Sequence, residues 1–145
     1  LFAVDTNLLL YAVNRDAPTY ERANGLLDSW REGTEEWFAT WPVLYEFLRV
    51  ATHPKVFEEP RTWEQAWEFI QALFASPSFG VLVETPRHAE VARELGAEYP
   101  WVAGSIMHDF HTVVLMREHG VTEIRTADSD FRRFAHLRVV NPLTT

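Results

Sequence analysis

Leu1-Phe2-Ala3-Val4-Asp5-Thr6-Asn7-Leu8-Leu9-Leu10 is the stretch on which the fold turns. Its first four residues are apolar without alternation, the pattern of a strand covered on both faces, as parallel sheets prefer. Asp5 ends the run. A buried carboxylate there is costly unless a cation or hydrogen bonds compensate it. From Asn7 to Val13 the pattern turns helical. Asp5 can cap that helix, but Thr6 can cap it equally well and so frees Asp5; Thr6 and Asn7 can each also hydrogen-bond the Asp5 carboxylate. Open parallel sheets bind ligands outside the carboxyl ends of their strands, where strand order reverses. Asp5 sits at such an end.

The same alternation continues outward. The sequence predicts a helix over Pro18–Arg31, with Pro at its start and Gly33 past its end. A strand at Trp37–Thr40 and a helix over Pro42–Ala51, closed by His53-Pro54, come next. Residues 52–61 read as a loop. Thr62 caps a helix running to about Ala75, with Glu64 and Gln65 in its first turn. A strand at Val81–Val83, a helix over Arg87–Glu98 and an amphipathic helix over 105–118, ended by Gly120, follow. A strand over 123–126, a short helix from Ser129 to Phe134 and a strand from Leu137 to Val140 close the chain. Strands alternating with helices predict an α/β protein with a mostly parallel sheet. No repeat or Gly/Ser linker divides the 145 residues, so one domain over 1–145 is expected.

Composition narrows the function. A chain 47% hydrophobic and 23% charged is ordinary for a soluble globular protein. Aromatics make up 14%, enough to serve a partner surface as well as a core. Cysteine is absent, which excludes disulfides, thiolate chemistry and Cys-based zinc sites and fits a reducing cytoplasm. No run approaches the roughly 18 apolar residues of a membrane span, and Asp5 breaks the first apolar run too early for a secretory leader. The net charge of −8 argues against binding nucleic acid through a broad basic face. It leaves a nuclease open, because a bound divalent ion reverses the local sign of an acidic site. All but one of the 13 basic residues are Arg, the side chain suited to bidentate phosphate contact.

Three further carboxylates sit where Asp5 does, in places that structure alone does not explain. Glu46 has Val43 and Val50 at i−3 and i+4 and Phe47 beside it; a surface salt bridge to Arg49 is the plain alternative to a ligand role. Val102, Ile106, Asp109, Val113 and Met116 fall on one helical face, and only Asp109 is charged. A buried Asp without a task is rare. Ser105 and Thr112 share that face and can bond Asp109 or a bound water. Within Thr126-Ala127-Asp128-Ser129-Asp130-Phe131, Asp128 ranks first because it lies nearer the strand end. Asp130 is the expected cap of the short helix, and Thr126 can orient the loop. His108 and His111 have a spacing that can hold zinc, but no third ligand accompanies them. His111 reads as an ordinary helix residue near the site. Four acids far apart in sequence point to one shared cation site, in an enzyme acting on phosphates.

Together, Val4-Asp5-Thr6-Asn7, Glu46, His108-Asp109-Phe110-His111 and Thr126-Ala127-Asp128-Ser129-Asp130-Phe131 resemble the PIN domain, and more closely the VapC toxins of bacterial toxin–antitoxin pairs. The likeness spans the chain, including the closing Arg138-Val139-Val140-Asn141-Pro142. It implies a three-layer α/β/α fold and a Mg²⁺- or Mn²⁺-dependent endoribonuclease. It also implies a cytoplasmic homodimer with a cognate VapB-type antitoxin. By position it makes Asp5, Glu46, Asp109 and Asp128 the catalytic, metal-binding acids, with Asp130 a further ligand and Thr6, Asn7, Ser105 and Thr126 in support. Ser105 stands where related toxins often have Asn. Oxygen-only ligands select hard cations, which polarise a scissile phosphate and lower the pKa of an attacking water.

Arg15, Arg49, Arg132 and Arg133 are candidate phosphate contacts, and Trp41, Tyr45 and Phe57 candidate stacking surfaces for RNA bases. Two phosphate-handling rivals fit poorly. A haloacid-dehalogenase-like site wants Asp at position 7, which is Asn; a receiver domain wants a late Lys, and the only Lys is Lys55. The remaining alternative is a catalytically silent PIN-like binding module whose metal site organises a protein or RNA partner surface.

Overall fold

A computed structural model describes residues 1–144. Its strands are β1 (Phe2–Val4), β2 (Trp37–Thr40), β3 (Phe79–Leu82), β4 (Glu123–Arg125) and β5 (Arg138–Val140), in the sheet order β3-β2-β1-β4-β5. Every neighbouring pair is parallel, and Ala3 lies between Phe38 on β2 and Ile124 on β4. The helices are α1 (Thr6–Tyr11), α2 (Tyr20–Glu32), α3 (Trp41–Ala51), α4 (Trp63–Phe74), α5 (His88–Glu98) and α6 (Met107–Glu118).

The unalternating start of the chain is explained by β1 itself. Successive strand side chains point to opposite faces. Phe2 and Val4 join one core with Leu9, Leu27, Trp37, Phe47 and Ile70, while Ala3 joins the other with Leu95, Val113, Ile124, Phe131 and Phe134. Helices α1–α4 cover the first face and α5–α6 the second, giving the three-layer α/β/α arrangement.

Local signals set most helix ends. At α4, the Thr62 hydroxyl accepts from Gln65 N–H (3.2 Å) and the Gln65 side chain accepts from Thr62 N–H (3.0 Å), a reciprocal capping box. Gly120 (φ +70°) ends α6, with Val121 N–H returning to the Met116 carbonyl at 2.9 Å. The start of α6 differs from expectation. Gly104 is left-handed (φ +67°), Gly104–Ile106 form a 3₁₀ turn, and α6 begins only at Met107. Nor is α6 amphipathic. Thr112 through Met116 are all buried, because this half of the helix packs both on the sheet and against α5 and also touches α3. The third strand begins at Phe79, two residues before the sequence suggests, as Gly80 lets the Phe38 ring lie against it. Among the described residues, no helix is long and apolar enough to cross a membrane.

Candidate active site

From β1 the chain steps outward to β2 and β3, then returns to the far side of β1 for β4 and β5. Strand order therefore reverses between β1 and β4. A crevice forms there at the carboxyl ends of the strands. Asp5 leaves β1 and Asp128 follows β4 at this point, and Asp5 N–H extends the ladder to the Arg125 carbonyl at 3.0 Å.

A hydrogen-bond network ties the two ends together. The Thr126 hydroxyl donates to Asp5 Oδ2 (2.8 Å) and accepts from Asn7 Nδ2 (3.1 Å) and Asp128 N–H (3.0 Å). Asn7 Nδ2 also reaches Asp5 Oδ2 (3.3 Å), and its Oδ1 accepts from Ala127 N–H (3.1 Å). Asn7 and Thr126 thus hydrogen-bond the Asp5 carboxylate, as the sequence allowed for Asn7. Asp5 is not relieved of capping as the sequence suggested. Its Oδ1 accepts from Thr6 N–H at 2.8 Å, while the Thr6 hydroxyl turns away to the Val43 carbonyl at 3.3 Å. A free Thr6 hydroxyl is better used there, since it pins α1 to α3.

Two helices complete the site, one from each layer: α3 brings Glu46 and α6 brings Asp109. With Asp5, Thr6, Asn7, Leu10, Ser105, His108, Asp128 and Asp130 they line one open cleft of about 380 Å³. Five carboxylates share it. Burial pushes the Asp5 carboxyl above its ordinary 3.8, against the hydrogen bonds from Thr126 and Thr6 N–H. Asp109 rises to about 6, first through desolvation and then through the charges of Asp5 and Asp130, with His108 opposing. No hydrogen bond to the Asp109 carboxylate is found among the described residues, and neither Ser105 nor Thr112 reaches it. The Asp130 carboxylate also has no partner among the described residues, but it is exposed, whereas Asp109 is half-buried.

Two of the acids are partly occupied. Glu46 is gripped by Arg49 through two contacts, 2.6 and 3.0 Å, and this bond, working against burial, holds its carboxyl below the ordinary 4.5. The surface salt bridge therefore exists, although Glu46 still faces the cleft. Asp128 Oδ1 accepts from Asp130 N–H at 3.2 Å and so supports the 3₁₀ turn over Asp130–Arg133; Asp130, expected as its cap, is instead the turn's first residue, after Ser129 at the cap position. Among the described residues no three acidic or imidazole groups already stand as a coordination cluster. In kind, however, the donors suit a hard divalent cation: oxygen ligands, surplus negative charge and, at Asp109, a half-buried carboxylate with no hydrogen-bond partner among the described residues.

The sequence placed His111 near the site, but the residue that lines the cleft is its neighbour His108; His111 instead pairs with Glu84 at 3.0 Å. Arg15 and Phe57 line a separate cavity with Arg61, so neither borders the acids. Trp41 packs against Tyr45 and Phe74 and is likewise outside the cleft lining.

The PIN-domain family model matches residues 2–137. The chain belongs to the PIN-domain family. Ribonuclease VapC48 of Mycobacterium tuberculosis is 31% identical over 140 residues, covering 97% of this chain and 96% of that protein. Ribonuclease VapC43 of the same species is 32% identical over 143 residues, covering 99% and 96%. Among solved structures, VapBC2 from Rickettsia felis bound to a fragment of its promoter DNA superposes with a TM-score of 0.63 at 17% identity over 97% of both chains. M. tuberculosis VapC20, a toxin that cleaves the sarcin–ricin loop, gives 0.63 at 20% identity over 91% and 93%. At these identities the superpositions speak for the fold alone.

Proposed function

We propose that this PIN-domain protein is the toxin of a VapBC-type pair, a Mg²⁺- or Mn²⁺-dependent endoribonuclease that hydrolyses RNA phosphodiester bonds at the acidic cleft. The observation that carries the reading is the convergence of five carboxylates from four segments at the switch point, with Asp109 left unpartnered and pushed to about 6. Near full-length similarity to VapC ribonucleases supports the chemistry.

Asp5 and Asp109 would hold the ion, with Asp128, Asp130 and Glu46 completing its charge balance. When bound, a divalent ion polarises the phosphate and eases deprotonation of the attacking water. The chain's own contribution is placement. Thr126 and Asn7 each donate one hydrogen bond to the Asp5 carboxylate and are bonded to each other, and the 3₁₀ turn fixes Asp128. Glu46 and Asp128 each keep a carboxylate at the cleft wall that can orient a water. His108 lends positive field to a pocket otherwise crowded with anions.

A VapB-type antitoxin is the expected partner, because structural neighbours are VapBC complexes; a cytoplasmic homodimer belongs to the same reading. The rival, a silent binding module, draws on the Glu46–Arg49 clasp. Cleavage of a panel of single-stranded RNAs with Mn²⁺ and with excess chelator decides. Cleavage only with the metal supports the enzyme; equal cleavage in chelator overturns the metal mechanism; none in either leaves the binding module.

A further inference from the structure

An acidic cleft in a chain of net charge −8 repels the polyanion it is meant to cut. Something beside the acids must hold the strand. The segments that supply one wall of the cleft, through Ser105, His108, Asp109, Asp128 and Asp130, continue directly into a second feature. Four residues before Ser105 stands Trp101, and three after Asp130 stands Arg133. The Arg133 guanidinium lies over the Trp101 ring, 4.0 Å from its centroid. The indole is 38% exposed but not loose, since it rests on Phe134 (5.2 Å between centroids) and meets Tyr99 edge-on (6.0 Å). Arg132 and Arg133 are exposed, and among the described residues neither enters an ion pair.

A planar cation stacked on a rigid indole is a stacking surface with charge built in. Unstacked bases pack on aromatic rings and on guanidinium planes, while neighbouring cations follow the backbone. We propose that Trp101 and Arg133 form a platform on which one base of single-stranded RNA stacks beside the acidic cleft, placing the adjacent phosphate among the carboxylates. Arg132 then neutralises the backbone leaving the platform. A base held there selects unpaired RNA over duplex, because a paired base cannot splay onto it. The assignment rests on the ribonuclease reading above and names binding and positioning residues, not catalytic ones.

The test uses one single-stranded RNA that the wild type cuts with Mn²⁺, and a set of copies with a single abasic nucleotide stepped along it. Trp101→Ala and Arg133→Ala should each raise KM roughly tenfold, the size expected for one stacked base, with kcat held within about twofold. Trp101→Phe should keep most of the binding, and Arg133→Lys, which retains the charge but not the plane, should lose it. At one position the abasic copy should cost the wild type about tenfold and Trp101→Ala nothing further. Unchanged KM in Trp101→Ala and Arg133→Ala, or abasic and mutant losses that simply multiply, overturns the platform while the ribonuclease stands. If the wild type cuts no RNA, the same cycle is read by fluorescence anisotropy. Binding that depends on Trp101 and on the base keeps the platform, and binding that depends on neither removes it. Arg133 is exposed, so its variants test the idea even if Trp101→Ala melts early.

Discussion

Two carboxylates on α6 meet opposite fates. At the helix end, the Glu118 side chain is wholly covered, yet it accepts from Thr85 N–H (2.9 Å) and the Thr85 hydroxyl (2.6 Å) and pairs with His88 Nδ1 (2.7 Å). Burial alone pushes its carboxyl up, but those bonds outweigh it and hold it below the ordinary 4.5. Near the helix start, the Asp109 carboxylate has no hydrogen-bond partner among the described residues and rises to about 6 through desolvation and the charges of other acids. Both regions mix His and acid beside strand ends. One satisfies its charge internally and the other leaves it unsatisfied, which is what a site awaiting a cation requires. The Glu118 region is a rivet; on the proposed reading, the Asp109 region is a receptor.

The comparison breaks most plainly on activity. Asp109→Asn and Asp5→Asn should each lower RNA cleavage with Mn²⁺ by at least about a hundredfold, the scale of lost metal-assisted catalysis. Glu118→Gln should leave kcat within about twofold. Single-turnover cleavage of a labelled RNA measures all three. Equal losses at both ends of α6, in folded protein, would mean that the contrast has no functional content.

Stability should sort them the other way. Glu118→Ala strands the Thr85 donors and His88, costing about 2–3 kcal/mol. The Glu118 carboxyl is depressed in the fold, so its stabilisation is present above the unfolded value and fades as pH falls through the folded one. The deficit of Glu118→Ala in urea unfolding should accordingly shrink from neutral pH to about pH 3.5. A deficit independent of pH would show that packing, not charge, is what the alanine removes.

Asp109 carries the reverse sign. Its folded value is raised from 3.8 to about 6, so in chelator the native state bears a penalty that is absent below the unfolded value, grows between the two and is complete above the folded one. Two pKa units correspond to roughly 3 kcal/mol, which solvent at this open cleft cuts to about 1–2 kcal/mol. Asp109→Asn should thus melt above the wild type at neutral pH in chelator and match it near pH 3.5. Mn²⁺ at a hundred times its Kd should stabilise the wild type by about 2.7 kcal/mol and the variant by less. If Asp109→Asn melts lower and both gain equally from Mn²⁺, Asp109 is a structural residue.

Sequence revealed the receptor better than the rivet. Asp5 and Asp109 stand out because each interrupts an apolar run, a contrast legible one residue at a time, and the β/α alternation foretold the parallel sheet, the three layers coming from the family resemblance. What stayed hidden depends on rotamers and distant partners. Asp5 rather than Thr6 caps α1 because Val43, on α3, offers the Thr6 hydroxyl an acceptor. His108 gave only a weak signal, a zinc-compatible spacing to His111 with no third ligand, and its place in the cleft shows only once Asp5 and Asp109 are folded around it. The early start predicted for α6 followed from helical spacing at Ser105 and Ile106, which cannot report the left-handed turn at Gly104. Glu118 is polar at the end of a helix, and nothing local shows that Thr85 and His88 cover it.

Glu46 lies between these extremes, a cleft carboxylate already clasped by a cation. Its bond to Arg49 is an i,i+3 pair at the surface, with the Arg side chain 62% exposed. Such pairs contribute little to stability, so Arg49→Ala should leave the melting temperature in chelator within about 1 °C. Its consequence is for metal. Arg49 competes with a cation for the same two oxygens, and it also holds the Glu46 carboxyl ionised. At neutral pH the second effect is idle, because an unclasped glutamate is ionised there anyway. Only the competition remains, and removing it should tighten Mn²⁺ binding a few-fold, read by titration calorimetry. Arg49→Ala combined with Glu46→Gln should lose that gain. If Arg49→Ala binds Mn²⁺ as the wild type does, Glu46 belongs with Glu118 among the carboxylates satisfied by the protein itself, and the receptor is built from the aspartates alone.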